Sequence, residues 1–343
     1  MSDPVVSLAV IGLGMASKPH LAALRQLQGG VRIAGLFTRN PERLADHAAA
    51  TGWPTYDSVQ EICDDDTVDG VIIITPPNAR KALVEPLARA GKHILMEKPV
   101  ERDLARAQEL VTICDAAGVS LGMVLQHRFR AGSQALSDLV RSGRLGPIRA
   151  VRMALPWWRD QSYYDAPGRG SYEQDGGGVL LTQAIHVLDL MLSLTGPVRE
   201  VQALCGTTAF HEMEAEDFAT AGLVFDTGAL GSVVATTAAY PGSRESLALD
   251  AANGSAVLTA GELVVHWRDG TRETVGELSS TGGGSDPMDF PCDWHRDLIA
   301  DFADSIRQNR PPRITGHEAL AVHKLIAAIE TSARQGRKIE VRS

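Results

Sequence analysis

The sequence predicts two successive domains, a doubly wound α/β domain at residues 1–124 and an α+β domain at residues 125–343. Three observations support this division. At 343 residues the chain is too long for one ordinary core and suits two domains. Up to about residue 124, short β-branched runs alternate with helical periodicity, as in a parallel sheet wrapped by helices. After that point, longer strand-like runs separated by turn dipeptides favour a mainly antiparallel sheet flanked by helices.

The composition is that of a folded globular protein. Hydrophobic residues make up 44% of the chain and charged residues 22%, which favours a packed core over disorder. Lys and Arg total 33 against 42 Asp and Glu, a formal charge of -9, so nucleic acid is not an expected partner. No run reaches the roughly 18 apolar residues of a membrane helix, and the short apolar start lacks the positive flank of a signal peptide. We therefore expect a cytoplasmic protein without a membrane or nucleic-acid partner.

The four cysteines lie far apart and form no C-x-x-C pair. This spacing indicates neither a zinc site nor a disulfide framework, so we predict no metal. We interpret them as buried or unreactive thiols in a reducing compartment. They are Cys63, Cys114, Cys205 and Cys292.

Five short apolar runs are the candidate strands of the first domain. They lie at residues 5–11, 31–37, 71–75, 93–96 and 119–125. Between the last two, residues 101–117 predict a helix, because five apolar side chains fall on one stripe and Gly118 is suited to end it. The stripe consists of Leu104, Ala107, Leu110, Val111 and Cys114.

The second domain is predicted to begin with a helix at 134–142. Strand-like segments follow at 148–155, 198–210, 217–226 and 229–240. Asn253-Gly254 separates runs at 247–251 and 256–260, and Asp269-Gly270 separates a further pair; both dipeptides favour tight antiparallel turns. A Gly/Ser stretch at 279–285 leads to two closing helices, the second opened by the capping box Thr315-x-x-Glu318.

A glycine turn joins the first strand to the first helix within residues 5–28. In that context, Gly12 permits a tight turn, Gly14 lets a pyrophosphate approach the backbone, and the helix amides favour its negative charge. Ser17 stands where the motif has its third glycine and is still small enough for close helix–strand packing. We assign Gly12, Gly14 and Met15 to a dinucleotide site, although two glycines are also compatible with plain turn chemistry.

The segment after the second strand bears on the choice of cofactor. An acidic residue at this point would hold the ribose 2′-hydroxyl of NAD, but the chain reads Phe37-Thr38-Arg39-Asn40. Arg39 beside Thr38, with no carboxylate, suits a 2′-phosphate. We therefore predict NADP, with NAD possible because Arg39 could instead face solvent or stack on adenine.

Two further segments carry a resemblance to a known family. Thr75-Pro76-Pro77-Asn78 follows the third strand, and Glu97-Lys98-Pro99 follows the fourth. Together with the glycine turn and the order of the later elements, they resemble the glucose-fructose oxidoreductase/inositol dehydrogenase/MocA-like family over essentially the whole chain. The resemblance implies an NAD(P)-binding Rossmann domain, then an open-faced domain for substrate binding and oligomerisation. It also implies cofactor contacts from Thr75, Pro76, Asn78, Glu97 and Lys98.

Lys98 is the first candidate catalytic residue. In the family that this chain resembles, the lysine of E-K-P lies by the nicotinamide and the substrate, which implies the same role here. Chemistry supports that role, because an ammonium near the reacting oxygen stabilises alkoxide character and burial can lower its pKa. The alternative is a surface lysine paired with Glu97.

His186 is the second candidate, because residues 175–189 resemble the family's glycine run, helix and histidine. An ordinary imidazole pKa of about 6.5 suits proton exchange with a substrate hydroxyl. Members with a polyol-dehydrogenase pattern carry an aspartate four residues earlier, where this chain has Thr182. Its hydroxyl can bind substrate or imidazole but supplies no carboxylate, so Lys98 would carry more of the work. Asp189 is interpreted as structural, and His186 itself could be a core histidine.

An aromatic and basic segment upstream of that helix is the candidate substrate pocket. Residues 157–164 and Gly168-Arg169-Gly170 offer rings and hydroxyls for a hydroxylated substrate, with Arg159 or Arg169 for a carboxylate or phosphate. The same aromatics are compatible with a cover over a core or an oligomer interface. The predicted substrate-binding residues are Lys98, Arg159, Tyr163, Arg169, Thr182 and His186, with Gln126, Arg128 and His295 as weaker candidates.

The resemblance implies a reaction class. We expect NAD(P)-dependent interconversion of a secondary alcohol and a ketone on a sugar, polyol or related cyclic hydroxylated substrate, in a homodimer or homotetramer. Two alternatives stay open: a cofactor-assisted lyase or glycosidase that uses the same residues, and a non-catalytic dinucleotide-sensing protein, for which Thr182 is the only hint.

Overall fold

The computed structural model describes residues 4–27, 29–279 and 291–341. These residues form two compact units, one drawn from 1–125 and 292–320 and the other from 126–291 and 321–343. The predicted division at 124/125 assigns everything after it to the second domain, whereas the structure groups 292–320 with the first unit. Most of the predicted Gly/Ser stretch, 280–285, lies outside the described residues.

A five-stranded parallel sheet forms the centre of the first unit, in the order β2-β1-β3-β4-β5. Each strand overlaps a predicted one: β1 Val6–Ile11, β2 Val31–Phe37, β3 Gly70–Ile73, β4 His93–Glu97 and β5 Leu121–Val124. Every residue of β1, β3 and β5 is buried, as expected for a parallel sheet covered on both faces. The predicted doubly wound fold is therefore confirmed.

Five helices connect these strands: α1 Ser17–Gln26, α2 Pro41–Thr51, α3 Val59–Asp64, α4 Lys81–Arg89 and α5 Leu104–Ala117. The last begins later than the predicted residue 101, because the Asp103 side chain accepts hydrogen bonds from the amides of Ala105 and Arg106 and so caps the helix. Gly118, with φ +68°, ends it as predicted.

The second unit is built on a nine-stranded sheet in the order β13-β12-β11-β10-β6-β9-β8-β7-β14. Its pairings are antiparallel except that of β6 with β9, which confirms the mainly antiparallel prediction. Its helices and strands up to residue 275 are α6 Ala131–Arg141, β6 Ile148–Pro156, α7 Gln161–Tyr164, α8 Ile185–Thr195, β7 Val198–Gly206, β8 Phe218–Phe225, β9 Leu230–Thr236, β10 Ser246–Ala251, β11 Gly254–Thr259, β12 Glu262–Trp267 and β13 Arg272–Val275. The elements that close the chain are α9 Asp293–Arg307, which belongs to the first unit, α10 Gly316–Gln335 and β14 Ile339–Glu340.

One face of the larger sheet is packed and the other is open along β7, β8 and β9. Leu204, Thr220 and Val234 are paired in register and form one row on the open face, where Leu204 is 69% and Val234 38% exposed. The residues that precede Leu204 and Val234, Ala203 and Val233, point the other way and are buried. This alternation is that of an antiparallel sheet packed on one side only.

The β10–β11 hairpin forms as predicted, with its turn one residue earlier. Asp250 pairs with Ser255, so the two-residue loop is 252–253 rather than 253–254. Gly254 has a different reason to be glycine, because a Cβ there would lie 2.6 Å from the carbonyl oxygen of His266 on β12.

The two closing helices form as predicted, and α9 packs against α1, β1, β4 and β5 in the first unit. The capping box before α10 is confirmed: the Thr315 amide donates to Glu318 Oε2 at 3.0 Å and the Glu318 amide donates to Thr315 Oγ1 at 3.2 Å. Within the described residues, no helix combines the length and apolarity needed to cross a membrane.

Candidate active site

The residues predicted to bind the cofactor lie where four neighbouring parallel strands end. The carboxyl ends of such strands share one edge of the sheet, and ligands bind there at the point where strand order reverses, here between β1 and β3. Gly12, Gly14 and Met15 follow β1; Thr38 and Arg39 follow β2; Thr75, Pro76 and Asn78 follow β3; Glu97 ends β4 and Lys98 follows it. The fold thus brings these predicted residues to a common edge.

The two glycines after β1 suit their positions for different physical reasons. Gly12 has φ +99°, and a Cβ on it would lie 2.7 Å from the carbonyl oxygen of Ile74. Its amide donates to the carbonyl of Phe37 at 2.9 Å, which ties the turn to the end of β2. Gly14 has no such crowding, because nothing lies within 4 Å of the position its Cβ would take. That open space before α1 is what a pyrophosphate needs.

Two observations extend the fit to a dinucleotide. Thr75 Oγ1 is buried and has no hydrogen-bond partner among the described residues, as expected of a group that awaits a ligand. After β2, Arg39 is exposed and Asn40 uses its side chain to cap α2 by accepting from the Arg43 amide at 2.9 Å. The residues present therefore fit a dinucleotide, and no carboxylate stands at positions 38–40.

Lys98 is half-buried, and its peptide is fixed by the preceding carboxylate. Glu97 Oε2 accepts from the Lys98 amide at 3.0 Å, and Glu97 Oε1 lies 2.8 Å from His20 Nε2 on α1. Burial alone would raise the pKa of Glu97, but the hydrogen bond with His20 and the charges of His20, Lys98 and His295 lower it to about 2. The carboxylate thus has a buried partner of its own, which sequence reasoning missed.

His20, Glu97 and His295 bring three side chains of metal-ligand type together, with ligand atoms within 4.8 Å of one another. Both Glu97 oxygens already accept hydrogen bonds. Burial, aided by the charge of His20, lowers the pKa of His295 to about 3 although Glu97 acts in the opposite direction. The Glu97 carboxylate is therefore satisfied within the protein, whereas His20 Nδ1 is buried and has no hydrogen-bond partner among the described residues.

Arg80 is a second residue that sequence reasoning missed. It is 1% exposed, and its guanidinium donates to the carbonyl of Thr75 at 2.9 and 3.2 Å. Burial lowers its pKa to about 10, against the charges of Glu97 and Glu101. Arg80 directly precedes α4. Because arginine is ordinarily exposed, a single sequence does not indicate that the one at this position is buried.

In the second unit, His186 lies on α8 just after a π-helical turn at Leu180–Ala184, a feature that often marks functional sites. Its ring is buried and stacks on that of His127, with centroids 4.9 Å apart. Arg130 contacts His127 Nε2 at 2.5 Å and pairs with Glu245 at 2.8 Å. Because a guanidinium only donates, Nε2 of His127 must accept, so it carries no proton. His127 and Arg130 were not predicted.

Thr182 lies within the π-helical turn. Its hydroxyl lies 2.6 Å from the carbonyl oxygen of Gly178 and also contacts Gln183 Oε1, so two acceptors within the protein compete for its single proton and its lone pairs are left for another partner. A Cβ on Gly178 would collide with Glu216, whose carboxylate accepts from the amides of Gly178 and Leu180 at 3.2 and 3.1 Å. The glycine run therefore makes room for a buried acid that the sequence did not reveal.

Asp189 and Arg128 form a two-pronged ion pair. Arg128 Nε and Nη2 donate to the two carboxylate oxygens at 2.8 and 2.6 Å, and Asp189 is 1% exposed. This geometry agrees with the structural interpretation of Asp189. Gln126, the other weak candidate from this segment, is also buried.

The predicted substrate residues Arg159, Tyr163 and Arg169 lie together. The guanidinium carbons of Arg159 and Arg169 are 5.4 and 5.1 Å from the centroid of the Tyr163 ring. Arg159 is buried and also lies over Trp157, and burial lowers its pKa. Arg169 is half-buried and pairs with Asp175 at 3.4 Å. Burial favours a packing role for Trp157 and Arg159, whereas Tyr163 and Arg169 retain exposed surface.

The four cysteines are free thiols, as predicted from their spacing. Burial raises the pKa of Cys63, and it raises the pKa of both Cys114 and Cys205 to about 12, with nearby carboxylates adding to the effect. Those three thiols are therefore poor nucleophiles.

The parallel sheet, its glycine turn and the segments at its carboxyl edge define an NAD(P)-dependent Rossmann-fold oxidoreductase. A family model described as "Oxidoreductase family, NAD-binding Rossmann fold" matches residues 6–124, and one described as "GFO/IDH/MocA C-terminal domain" matches residues 133–257. The chain belongs to the glucose-fructose oxidoreductase/inositol dehydrogenase/MocA family.

Characterised relatives match over nearly their whole length. D-apiose dehydrogenase from Paraburkholderia graminis is 28% identical over 98% of this chain and 89% of its own. Myo-inositol 2-dehydrogenase from Thermotoga maritima is 26% identical over 97% and 98%. The WlbA dehydrogenase from Bordetella pertussis, solved with NADH and UDP-GlcNAcA, is 29% identical over 99% of this chain and 100% of its own, with a TM-score of 0.84.

Proposed function

We propose that this enzyme interconverts a secondary alcohol and a ketone on a sugar, polyol or related cyclic hydroxylated substrate and prefers NADP. The observation that carries the proposal is the placement of Lys98 at the same sheet edge as the glycine turn, directly after β4. The names of the relatives support the substrate class. Two are named as dehydrogenases of D-apiose and myo-inositol, and the third was solved with UDP-GlcNAcA.

The proposed roles follow from side-chain chemistry. The Lys98 ammonium donates to the substrate oxygen and stabilises the negative charge that develops on it. The His186 imidazole accepts the hydroxyl proton during oxidation and returns it during reduction. The Thr182 hydroxyl oxygen accepts a hydrogen bond, because the acceptors on Gly178 and Gln183 compete for its own proton. When bound, the nicotinamide supplies the acceptor or donor of the hydride.

The first test is a dehydrogenase screen of sugars, inositols, cyclic diols and sugar nucleotides with NAD and NADP, followed by the absorbance of the reduced nicotinamide. Lys98→Ala should lose nearly all kcat on any substrate found, while Lys81→Ala, which changes an exposed lysine, should keep it. Repeated turnover without added nicotinamide would instead support the elimination chemistry of a lyase or glycosidase. No turnover on the whole panel would contradict the proposal.

The NADP preference is proposed from Arg39, although WlbA holds NADH. Loss of hydrogen bonds to a charged phosphate costs about 1.5–3 kcal/mol, so Arg39→Ala should lower kcat/KM for NADP by roughly 10- to 150-fold and leave NAD nearly unchanged. Arg43→Ala is the matched control, since that exposed arginine lies one turn further along the chain. A wild-type enzyme that favours NAD by about tenfold would overturn the preference.

We also propose a homodimer or homotetramer. The open face of the larger sheet supports it, because Leu204 on β7 and Leu230 and Val234 on β9 are exposed there, on the two strands that flank β8. Isolated exposed apolar residues are ordinary, but several on one open sheet face favour a protein partner. Light scattering should give two or four chains per particle, and Val234→Lys should reduce that number; a monomeric wild type would contradict the proposal.

A further inference from the structure

The main-chain amide and the main-chain carbonyl of Lys98 each face a charged side chain. On its amide side, Glu97 Oε2 accepts from the Lys98 N–H at 3.0 Å while His20 occupies the other carboxylate oxygen. On its carbonyl side lies the guanidinium of Arg80, with Nη2 3.5 Å from the Lys98 oxygen and Nη1 3.3 Å from that of Val100.

Arg80 also reaches the end of the neighbouring strand. Its Nε and Nη2 donate to the carbonyl of Thr75, which follows β3, while Lys98 and Val100 follow β4. The two strands pair in parallel, with Ile73 beside Met96. The planar fork of one guanidinium therefore joins the segment of Thr75, a predicted cofactor contact, to the segment that carries the lysine.

The hydrogen bonds of the Arg80 guanidinium compensate for the burial of its charge. Taking a charge out of water is unfavourable unless hydrogen bonds replace its hydration, and Arg80 places its donors on carbonyls of Thr75, Lys98 and Val100. Such bonds fix the direction of three peptide groups at the sheet edge. A displacement of about 1 Å at a catalytic group can reduce the rate by about 100-fold, so this fixation bears on the chemistry.

We propose that Arg80 is a positioning residue for the reaction: it holds the main chain of Lys98 at the carboxyl edge of the sheet and couples it to the segment of Thr75. The inference rests on the catalytic role proposed for Lys98. Arg80 itself acts only through main-chain groups and does not contact substrate.

The chain contains a matched control for this role. Lys92 is also a buried cation of the first unit, and its Nζ donates to main-chain carbonyls, those of Asp65 and Val68, at 2.7 and 3.0 Å. Arg80→Met and Lys92→Met each remove a buried cation that binds carbonyls and leave an apolar chain in its place. Both should lower the unfolding temperature, but only the first should loosen Lys98.

Two readouts on the full-length enzyme test the proposal. Amide hydrogen exchange in Arg80→Met should accelerate over residues 96–101, whereas in Lys92→Met it should accelerate near Asp65 and Val68. With the substrate identified by the screen, Arg80→Met should lower kcat by roughly 10- to 100-fold with little change in KM, and Lys92→Met should keep kcat within about twofold.

Arg80→Lys keeps the positive charge but removes the planar set of guanidinium donors. This variant replaces Arg80→Met in the test if Arg80→Met does not fold. It should retain the fold and still exchange faster than wild type over 96–101. Equal exchange there in wild type and variants, or equal kcat in Arg80→Met and Lys92→Met, overturns the positioning role. An enzyme without redox activity contradicts the proposed function instead, and hydrogen exchange then still decides whether Arg80 holds Lys98.

Discussion

The two glycines of the turn after β1 should respond in opposite ways to the same added methyl group. In Gly12→Ala, the new Cβ would lie 2.7 Å from the carbonyl oxygen of Ile74 and 2.8 Å from its carbon, on a backbone with φ +99°. A non-glycine residue with positive φ costs about 1–2 kcal/mol, and overpacking costs about 1–3 kcal/mol more. The sum, about 2–5 kcal/mol, is a large part of the stability of an ordinary domain.

Gly14→Ala should leave the fold intact. Nothing lies within 4 Å of its Cβ position, and removing a glycine from an unstrained site usually stabilises by about 0.4–1 kcal/mol. The methyl would instead occupy the space proposed for the pyrophosphate. A penalty of about 1–3 kcal/mol at that contact weakens cofactor binding roughly 5- to 150-fold.

Thermal unfolding without cofactor and a fluorescence titration with NADP and NAD measure the two effects separately. At about 2–4 °C per kcal/mol, Gly12→Ala should lower the unfolding temperature of the first unit by about 4–20 °C. Gly14→Ala should unfold at or above the wild-type temperature and bind either cofactor more weakly. Equal destabilisation by the two substitutions, or unchanged cofactor affinity in Gly14→Ala, would refute this reasoning.

Three further substitutions test individual interactions. Burial and the charge of Glu216 raise the pKa of Glu330 to about 7. The unfolded chain therefore loses this proton at lower pH than the folded chain, and the free energy of unfolding falls as pH rises from about 4.5 through 7. In urea unfolding, Glu330→Gln should be up to about 3 kcal/mol more stable than wild type at pH 8 and equally stable at pH 4. Asp189→Asn removes the buried charge that pairs with Arg128 and should lose about 3–5 kcal/mol in the same assay, where a loss below about 1 kcal/mol would show that the pair is not structural. Asp103→Ala removes the cap of α5 and should lose about 1 kcal/mol, and an unchanged urea midpoint would contradict the capping role.

Much of the first unit could be predicted because local patterns determine it. The run at 31–37 forms β2 over the same residues, and the stripe on α5 is buried from Ala107 to Cys114. Gly118 and the capping box at Thr315 also behave as their local chemistry requires. In each case, the residues that decide the structure lie within a few positions of one another.

The supporting residues of the candidate site could not be predicted for the opposite reason. His20 meets Glu97 across 77 positions and Arg80 meets Val100 across 20, contacts that exist only once the sheet has formed. Glu216, two residues before β8, likewise accepts from the amides of Gly178 and Leu180, 38 and 36 positions away, where the π-helical turn begins. The prediction places the β10–β11 turn one residue too late because it interprets Gly254 as a turn residue, whereas Gly254 lies in β11 and makes close contact with β12.

The course of the chain between its units also limits how the enzyme can assemble during synthesis. Because α9 belongs to the first unit and packs on α1, β1, β4 and β5, residues 1–125 alone lack part of their own core. Synthesis must therefore pass residue 307, the end of α9, before the Rossmann unit can be completed. A fragment that ends at residue 124 should therefore expose the apolar surface that α9 covers and aggregate, whereas adding residues 292–320 through a linker should restore its solubility.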